Sequence, residues 1–290
     1  MKRLVVTADD FGAAREVNDA VVCAHREGVL TAASLMVSGP AAAQAVACAR
    51  RSPTLRIGLH LVLVEGRPML PAGDVSQLVD AQGQFRTDLA MLGATLAFSR
   101  RARRQLAAEI DAQFAAFRAT GLALDHCNAH KHFHLHPLVG RLTIRIGCRF
   151  GLRAVRVPLE PARLLRRAEP QAGWRAGALT TPFAQLLRHQ VRAAGLLAPD
   201  RVFGLHWSGH MSRERLQGLI RHLPDGLNEI YLHPATGRYP GAAPDYQYRE
   251  ELDALIAPEV TQACRDAAAE LGGYSDFGRR NQRTASSIAC

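Results

Sequence analysis

Lys2–Gly12 reads KRLVVTADDFG. Two basic residues ahead of an apolar run resemble the start of an export signal. That run is too short for the roughly 7–15 apolar residues such a signal needs, and it leads straight into two aspartates. It therefore reads as a first β-strand. Adjacent carboxylates inside a regular strand would face opposite ways. At the strand's C-terminal end, where the backbone turns, Asp9 and Asp10 can both open onto the mouth of a barrel, where barrel enzymes place their sites. The plainer alternative makes them a turn or helix cap ahead of Gly12. Two like charges this close repel, and a bound cation would relieve that.

Working outward, strand and helix patterns alternate along the chain. Helical periodicity covers Ala14–Glu27. GVLTAASLMVSG (Gly28–Gly39) reads as a second strand and PAAAQAVACARRS as a helix opened by Pro40. LRIGLHLVL is a third strand containing His60, and an irregular Gly/Pro stretch follows from Glu65 to Phe85. A long helix then ends at Gly121. LALDHCNAHKHFHLHP reads as a fourth strand, LRAVRVPLE as a fifth, DRVFGLHWSG as a sixth and NEIYLHPA as a seventh. Strands alternating with helices predict a parallel α/β sheet, and about seven such units favour a closed single-domain (β/α) barrel. The expected domain spans residues 1–275, with a polar, mobile C-terminal tail over 276–290.

Of the 290 residues, 48% are hydrophobic, which excludes wholesale disorder. No stretch reaches the roughly 18 apolar residues of a membrane span. The six cysteines are scattered without a CxxC pair, so they are expected to be reduced thiols in a cytoplasmic protein. The net charge of +10 admits a solvated arginine-rich surface, or an anionic partner such as nucleic acid or a membrane face. Basic runs at Ser99–Gln105 and Ala162–Ala168, and arginines interleaved with apolar residues between Pro161 and Pro199, suit a helix lying on a bilayer.

Five of the 12 histidines crowd LDHCNAHKHFHLHP (Leu124–Pro137), four of them on alternate residues. On a strand, His130, His132, His134 and His136 would share one face with spacings of about 6.8 Å. A metal–nitrogen bond is only about 2.1 Å, so one ion could engage one or two of these rings. His60 sits in an apolar strand, as a core histidine or as the third member of an Asp/His/His site with Asp10. Such a site leaves positions open for water and substrate. His233, His206 and His210 are acid/base candidates.

The ordered set TADDFG, GLHLVL, NAHKHFHLHP and YLHP resembles the YdjC-like carbohydrate deacetylases, and within them the hopanoid biosynthesis-associated branch, over nearly the whole chain from Lys2 to about Leu271. The resemblance implies a distorted (β/α) barrel that hydrolyses N-acetyl groups of amino sugars with a divalent ion, usually magnesium. Two imidazoles and a carboxylate suit zinc or another transition metal equally. It further implies Asp10, His60 and His130 as metal ligands, Asp9 as general base and His233 as general acid, with His206 the alternative acid. Where relatives carry HHHVH this chain has HKHFH, with Lys131 in place of a histidine, and where they carry HPG it has HPA. The implied partners are an N-acetylated amino sugar or glycolipid and an anionic membrane surface at the inner face; nucleic acid is not expected, and homodimerisation is left open. A soluble chito-oligosaccharide deacetylase is the nearest alternative, and a metal-dependent phosphoesterase or nuclease a more distant one.

Overall fold

The computed structural model describes residues 1–170 and 180–278. β1 (Lys2–Phe11) shows how one strand serves two environments. Leu4, Val6 and Ala8 pack into the main apolar core, while Val5 joins a second, smaller cluster with Ala32, Ala154, Leu227, Tyr274 and Phe277. Side chains alternate along a strand, so Thr7 and Asp9 share the Val5 face. Thr7 Oγ1 donates to Glu229 Oε1 at 2.7 Å, across the barrel interior.

The chain continues through α1 (Arg15–Glu27), β2 (Ala32–Leu35), α2 (Ala42–Arg50), β3 (Arg56–Leu61), α3 (Leu89–Phe98), α4 (Arg100–Ala119) and β4 (Cys127–Ala129). A short 3₁₀ segment (His130–Leu135) leads into α5 (Pro137–Arg149), α6 (Ala162–Ala168) and α7 (Thr181–Ala193). β5 (Arg201–Phe203), α8 (Arg213–Arg221), β6 (Gly226–Leu232), α9 (Tyr248–Ile256), α10 (Pro258–Asp266) and β7 (Glu270–Leu271) complete it. The strands run parallel in the order β4-β3-β2-β1-β6-β5, with β7 beside the start of β1. This is the expected distorted barrel, a single α/β domain.

The expected fifth strand, LRAVRVPLE, is not a regular strand. It makes two isolated bridges, Cys127 with Val155 and Ala154 with Leu197. It still joins the sheet's two edges: Arg156 N–H donates to the Cys127 carbonyl, and Val202 N–H to the Leu159 carbonyl, each at 3.0 Å. Pro158 has no N–H to offer, which interrupts the ladder where it would otherwise become continuous.

Tyr274 and Phe277 close the barrel floor, and Arg56 pairs with Asp276 at 2.9 Å. Ordered packing thus runs past residue 275, while 279–290 of the expected tail lie outside the described residues. Residues 171–179 of the basic Pro161–Pro199 stretch lie outside them as well. Among the described residues no helix is long and apolar enough to cross a membrane. Cys23, Cys48, Cys127, Cys148 and Cys264 are free thiols.

Candidate active site

The site begins where β1 stops being regular. Its register with β2 slips between Ala8 and Phe11, and Asp10 takes a left-handed φ of 60°, followed by Gly12 at 98°. Aspartate is among the few non-glycine residues that enter this region, at an energetic cost that the surroundings must offset. They do so here: Ala13 N–H donates to the Asp10 carbonyl at 2.9 Å, and Gly12 N–H to Asn18 Oδ1 at 2.8 Å. The turn lets both neighbouring carboxylates open onto the barrel mouth instead of opposite faces.

Asp10 Oδ1 lies 3.2 Å from His60 Nε2 and 3.1 Å from His130 Nδ1. One ligand atom from each of the three residues falls within 4.8 Å of the others. His60 is buried in β3, and its Nδ1 lies 2.7 Å from Asn128 Oδ1. The Asn128 amide nitrogen is committed to Asp9 Oδ1 (3.1 Å) and Ser34 Oγ (3.0 Å), so its oxygen faces His60 and accepts from Nδ1–H. In the neutral ring the His60 lone pair then sits on Nε2, which is buried with no hydrogen-bond partner and lies beside Asp10. An orphaned imidazole nitrogen beside a carboxylate and a second imidazole fits a divalent cation, including the tautomer control that metal-ligating histidines need. Burial raises the Asp10 pKa, but the charge and hydrogen bond of His130 outweigh it and hold the carboxyl well below its usual range. Against its own burial, His130 is pushed up to about 9 by Asp10 and by Glu65, whose carboxylate is 3.9 Å from Nε2.

Asp9 is held differently. Burial raises its pKa, yet the Arg156 guanidinium overrides this and keeps the carboxylate ionised, well below its ordinary value. Arg156 Nη1 donates to Asp9 Oδ2, and Nη2 donates to Asp9 Oδ1 at 3.0 Å and to Glu229 Oε1 at 2.8 Å. The guanidinium also lies 4.4 Å from the centre of the Tyr231 ring. Asp9, Arg156 and Glu229 are all buried, so the repulsion between the paired aspartates is relieved by arginine on one side and imidazole on the other.

The histidine run does not form the expected strand, and its four rings do not share a face. β4 ends at Ala129, and Lys131 and His132 both take φ of 53°. The left-handed pair winds the chain into a tight turn that sends the rings apart. His130 meets Asp10; His132 Nε2 pairs with the Tyr231 hydroxyl at 2.8 Å; His134 Nε2 donates to the Arg156 carbonyl at 2.9 Å. His136 stands at the start of α5, beside α3 at Gly93. Burial holds His132 well below, and His134 down to about 4 from, the usual imidazole value, so both are neutral.

A cavity of about 780 Å³ opens over these groups, lined by Asp9, Asp10, His60 and His130 together with tyrosines. Four of the chain's five tyrosines, Tyr231, Tyr239, Tyr246 and Tyr248, border it. The Tyr246 ring lies over Gly209, where any Cβ would stand 2.2 Å from it, and its hydroxyl bonds Ser208 at 2.7 Å. His233, just beyond β6, has its ring 5.0 Å from that of Tyr246. Its backbone N–H donates to Glu251, and burial lowers its pKa. His206 also borders the cavity but is exposed. Lys131 is the one lysine or arginine among the described lining residues, 3.3 Å from Glu65.

Arg156, Glu229, Asn128, Ser34 and the tyrosine wall were not legible as site residues. A weak signal existed for the first two, since each is a charge within an otherwise apolar strand-like run (AVRVP and NEIYL).

At the barrel mouth the chain thus gathers an Asp/His/His cluster able to hold a cation, with a second carboxylate at its edge. The profile of the YdjC-like proteins matches residues 3–266, and the chain belongs to this family. A protein named carbohydrate deacetylase from Brevibacillus brevis is 31% identical over 283 residues, covering 95% of this chain and 100% of its own length. One of the same name from Vibrio vulnificus is 39% identical over 289 residues, covering 95% and 96%. A human protein so named is 30% identical, covering 99% and 94%. A solved structure from Enterococcus faecalis, described as a putative cellobiose-phosphate cleavage protein, superposes with a TM-score of 0.73 at 22% identity, covering 95% of this chain and 98% of its own, and shares its fold.

Proposed function

We propose that this protein is a metal-dependent carbohydrate deacetylase, hydrolysing the acetamide of an N-acetylglucosamine-type sugar to acetate and a free amine. The observation that carries this reading is the convergence of Asp10, His60 Nε2 and His130 with Asp9 beside them, in a chain whose relatives bear that name. Asp10, His60 and His130 hold the cation. When bound, a divalent ion supplies Lewis-acid polarisation of the acetyl carbonyl and lowers the pKa of a water. Magnesium follows from the resemblance; the donor set favours zinc or another transition metal at least as well.

The chain's own groups do the rest. Asp9, ionised and held on two prongs by Arg156, accepts a proton from the attacking water. The Arg156 charge weakens it as a base but fixes its direction, which suits a water already acidified. His233 delivers a proton to the departing amine nitrogen, since an amide nitrogen leaves poorly without one. Burial lowers its pKa, so the ring takes a proton from solvent before it acts as the acid, and Asp9 gives the water's proton back to solvent when the cycle closes. The tyrosines lining the cavity supply flat faces for the sugar ring.

A glycolipid of the hopanoid class is the finer substrate reading, from the motif resemblance. It is supported by α3, which packs beside the histidine turn and exposes Met91 and Phe98 on one face, just ahead of Arg100 and Arg101. An apolar face edged with arginines suits an anionic bilayer. Acetate release from N,N′-diacetylchitobiose and from an N-acetylglucosaminyl lipid, with and without chelator, tests both levels. Release from neither by metal-replete protein would end the deacetylase reading. Release from the chitobiose alone, with no preference for anionic over neutral vesicles, would end the lipid one.

A further inference from the structure

Below the cavity runs a buried hydrogen-bond chain that the proposed chemistry does not use. It starts at Asp125, whose carboxylate accepts the backbone N–H groups of Tyr274 (3.1 Å) and Ser275 (2.8 Å) from the barrel floor. His126 Nδ1 lies 2.9 Å from Asp125 Oδ2, its Nε2 lies 3.0 Å from Ser34 Oγ, and Asn128 Nδ2 lies 3.0 Å from the same Ser34 oxygen. Asp125, His126, Ser34 and Asn128 are all buried. His126 is wedged against Gly58, where a Cβ would stand 2.4 Å from its Nε2.

With His126 a neutral imidazole, the polarity of every link follows from donor and acceptor inventories. A carboxylate only accepts, so His126 donates from Nδ1, which leaves Nε2 to accept. Ser34 must then donate its hydroxyl proton to His126, which leaves its oxygen to accept from Asn128. The second Asn128 amide proton goes to Asp9 Oδ1, and Asn128 Oδ1 accepts from His60 Nδ1–H. An inverted amide would set its oxygen against the Asp9 carboxylate, 3.1 Å away, a mismatch that is costly in a buried site.

We infer that Asn128 is a positioning residue with two separable tasks: its oxygen keeps the His60 Nε2 lone pair free for the cation, and its NH₂ holds Asp9 in place, with Asp125, His126 and Ser34 dictating which way the amide faces. This rests on the reading of Asp10, His60 and His130 as ligands. One side chain thereby ties the metal ligand on β3 to the base on β1, and anchors both to the C-terminal segment under the barrel.

Two near-isosteric variants separate the tasks. Asn128→Leu removes both, so zinc affinity measured by calorimetry should fall about 10–100-fold, the usual cost of losing a ligand's outer partner. Asn128→Asp keeps an acceptor for His60 but sets a carboxylate against Asp9. Zinc affinity should stay within severalfold of wild type while kcat for acetate release falls by about tenfold or more. A purely structural role would move both readouts together in both variants. In zinc-loaded wild-type protein, nitrogen NMR of His60 should show Nδ1 protonated and Nε2 on the metal. Coordination through Nδ1 overturns the inference, as does wild-type zinc affinity in Asn128→Leu or equal zinc loss in Asn128→Asp. If Asn128→Leu does not fold, the wild-type spectrum and Asn128→Asp still decide. Wild-type protein that binds no zinc and releases no acetate fails the functional reading and takes this inference with it; loss of the Asn128 effects alone leaves that reading standing.

Discussion

Asp9 and Arg156 form a two-pronged ion pair buried in the barrel, although 147 residues separate them. Arg156 reaches Glu229 with the same Nη2 that contacts Asp9, so one guanidinium neutralises two carboxylates drawn from β1 and β6. The pair links the fold's stability to its chemistry, because the residue proposed to take the proton is also half of the buried cluster.

Arg156→Met leaves Asp9 and Glu229 facing each other without a cation. Removing one partner of a buried pair typically costs about 3–5 kcal/mol. Denaturant unfolding should show a loss of this size, and acetate release should fall with it. Unchanged stability would mean that the cluster is hydrated in solution.

His130→Ala removes one ligand from the rim of the barrel, where the side chain is only partly buried. Elemental analysis should find metal lost while the melting transition shifts little, and chelation of wild-type protein should abolish acetate release until a divalent ion is restored. Full metal content in the variant would contradict its place as a ligand.

His233→Ala should lower kcat by about 10²–10⁴, the range for losing a general acid, while metal content stays at the wild-type level. His206→Ala, altering an exposed ring at the cavity edge, should cost far less. The reverse ranking would transfer the acid's role to His206.

Glu251 predicts a pH dependence of stability. Burial pushes its carboxyl up to about 8 from an ordinary 4.5, despite backbone hydrogen bonds from Met211 and His233. The native state therefore retains a proton that the unfolded chain releases, so stability declines as pH rises from about 4.5 towards about 8. Over that interval the wild-type urea midpoint should fall more steeply, or rise less, than that of Glu251→Gln, because the buried histidines with lowered pKa contribute in the opposite sense in both proteins. Glu251→Gln should flatten this slope and start lower at about pH 5, because an amide NH₂ replaces one of the two acceptors. Equal slopes in wild type and Glu251→Gln would overturn the assignment.

How much was legible beforehand varies by element. The βα alternation and the paired aspartates at a strand end are local signals, set by apolar periodicity and by residues that stop a strand, and the barrel and both carboxylates follow from them. The resemblance singled out His60 and His130 as ligands, and the structure brings both within 3.2 Å of Asp10. The histidine run misled because alternation predicts a strand only while the backbone stays extended. Lys131 and His132 enter the left-handed region, which no periodicity reveals. LRAVRVPLE has the composition of a strand, but Pro158 removes a ladder donor, and the segment serves as an irregular seam between the sheet edges.

Taken alone, then, the order of residues determined the alternating elements, the parallel sheet and the kinds of donor available to a cation, because these depend on contacts and propensities a few residues apart. Only the tertiary structure decided that Asp9 belongs to Arg156, that Asn128 meets both His60 and Asp9, and that four tyrosines border one cavity with the imidazoles. Those pairings join residues tens to hundreds of positions apart, and strand register and barrel closure, rather than any local preference, bring them into hydrogen-bonding range.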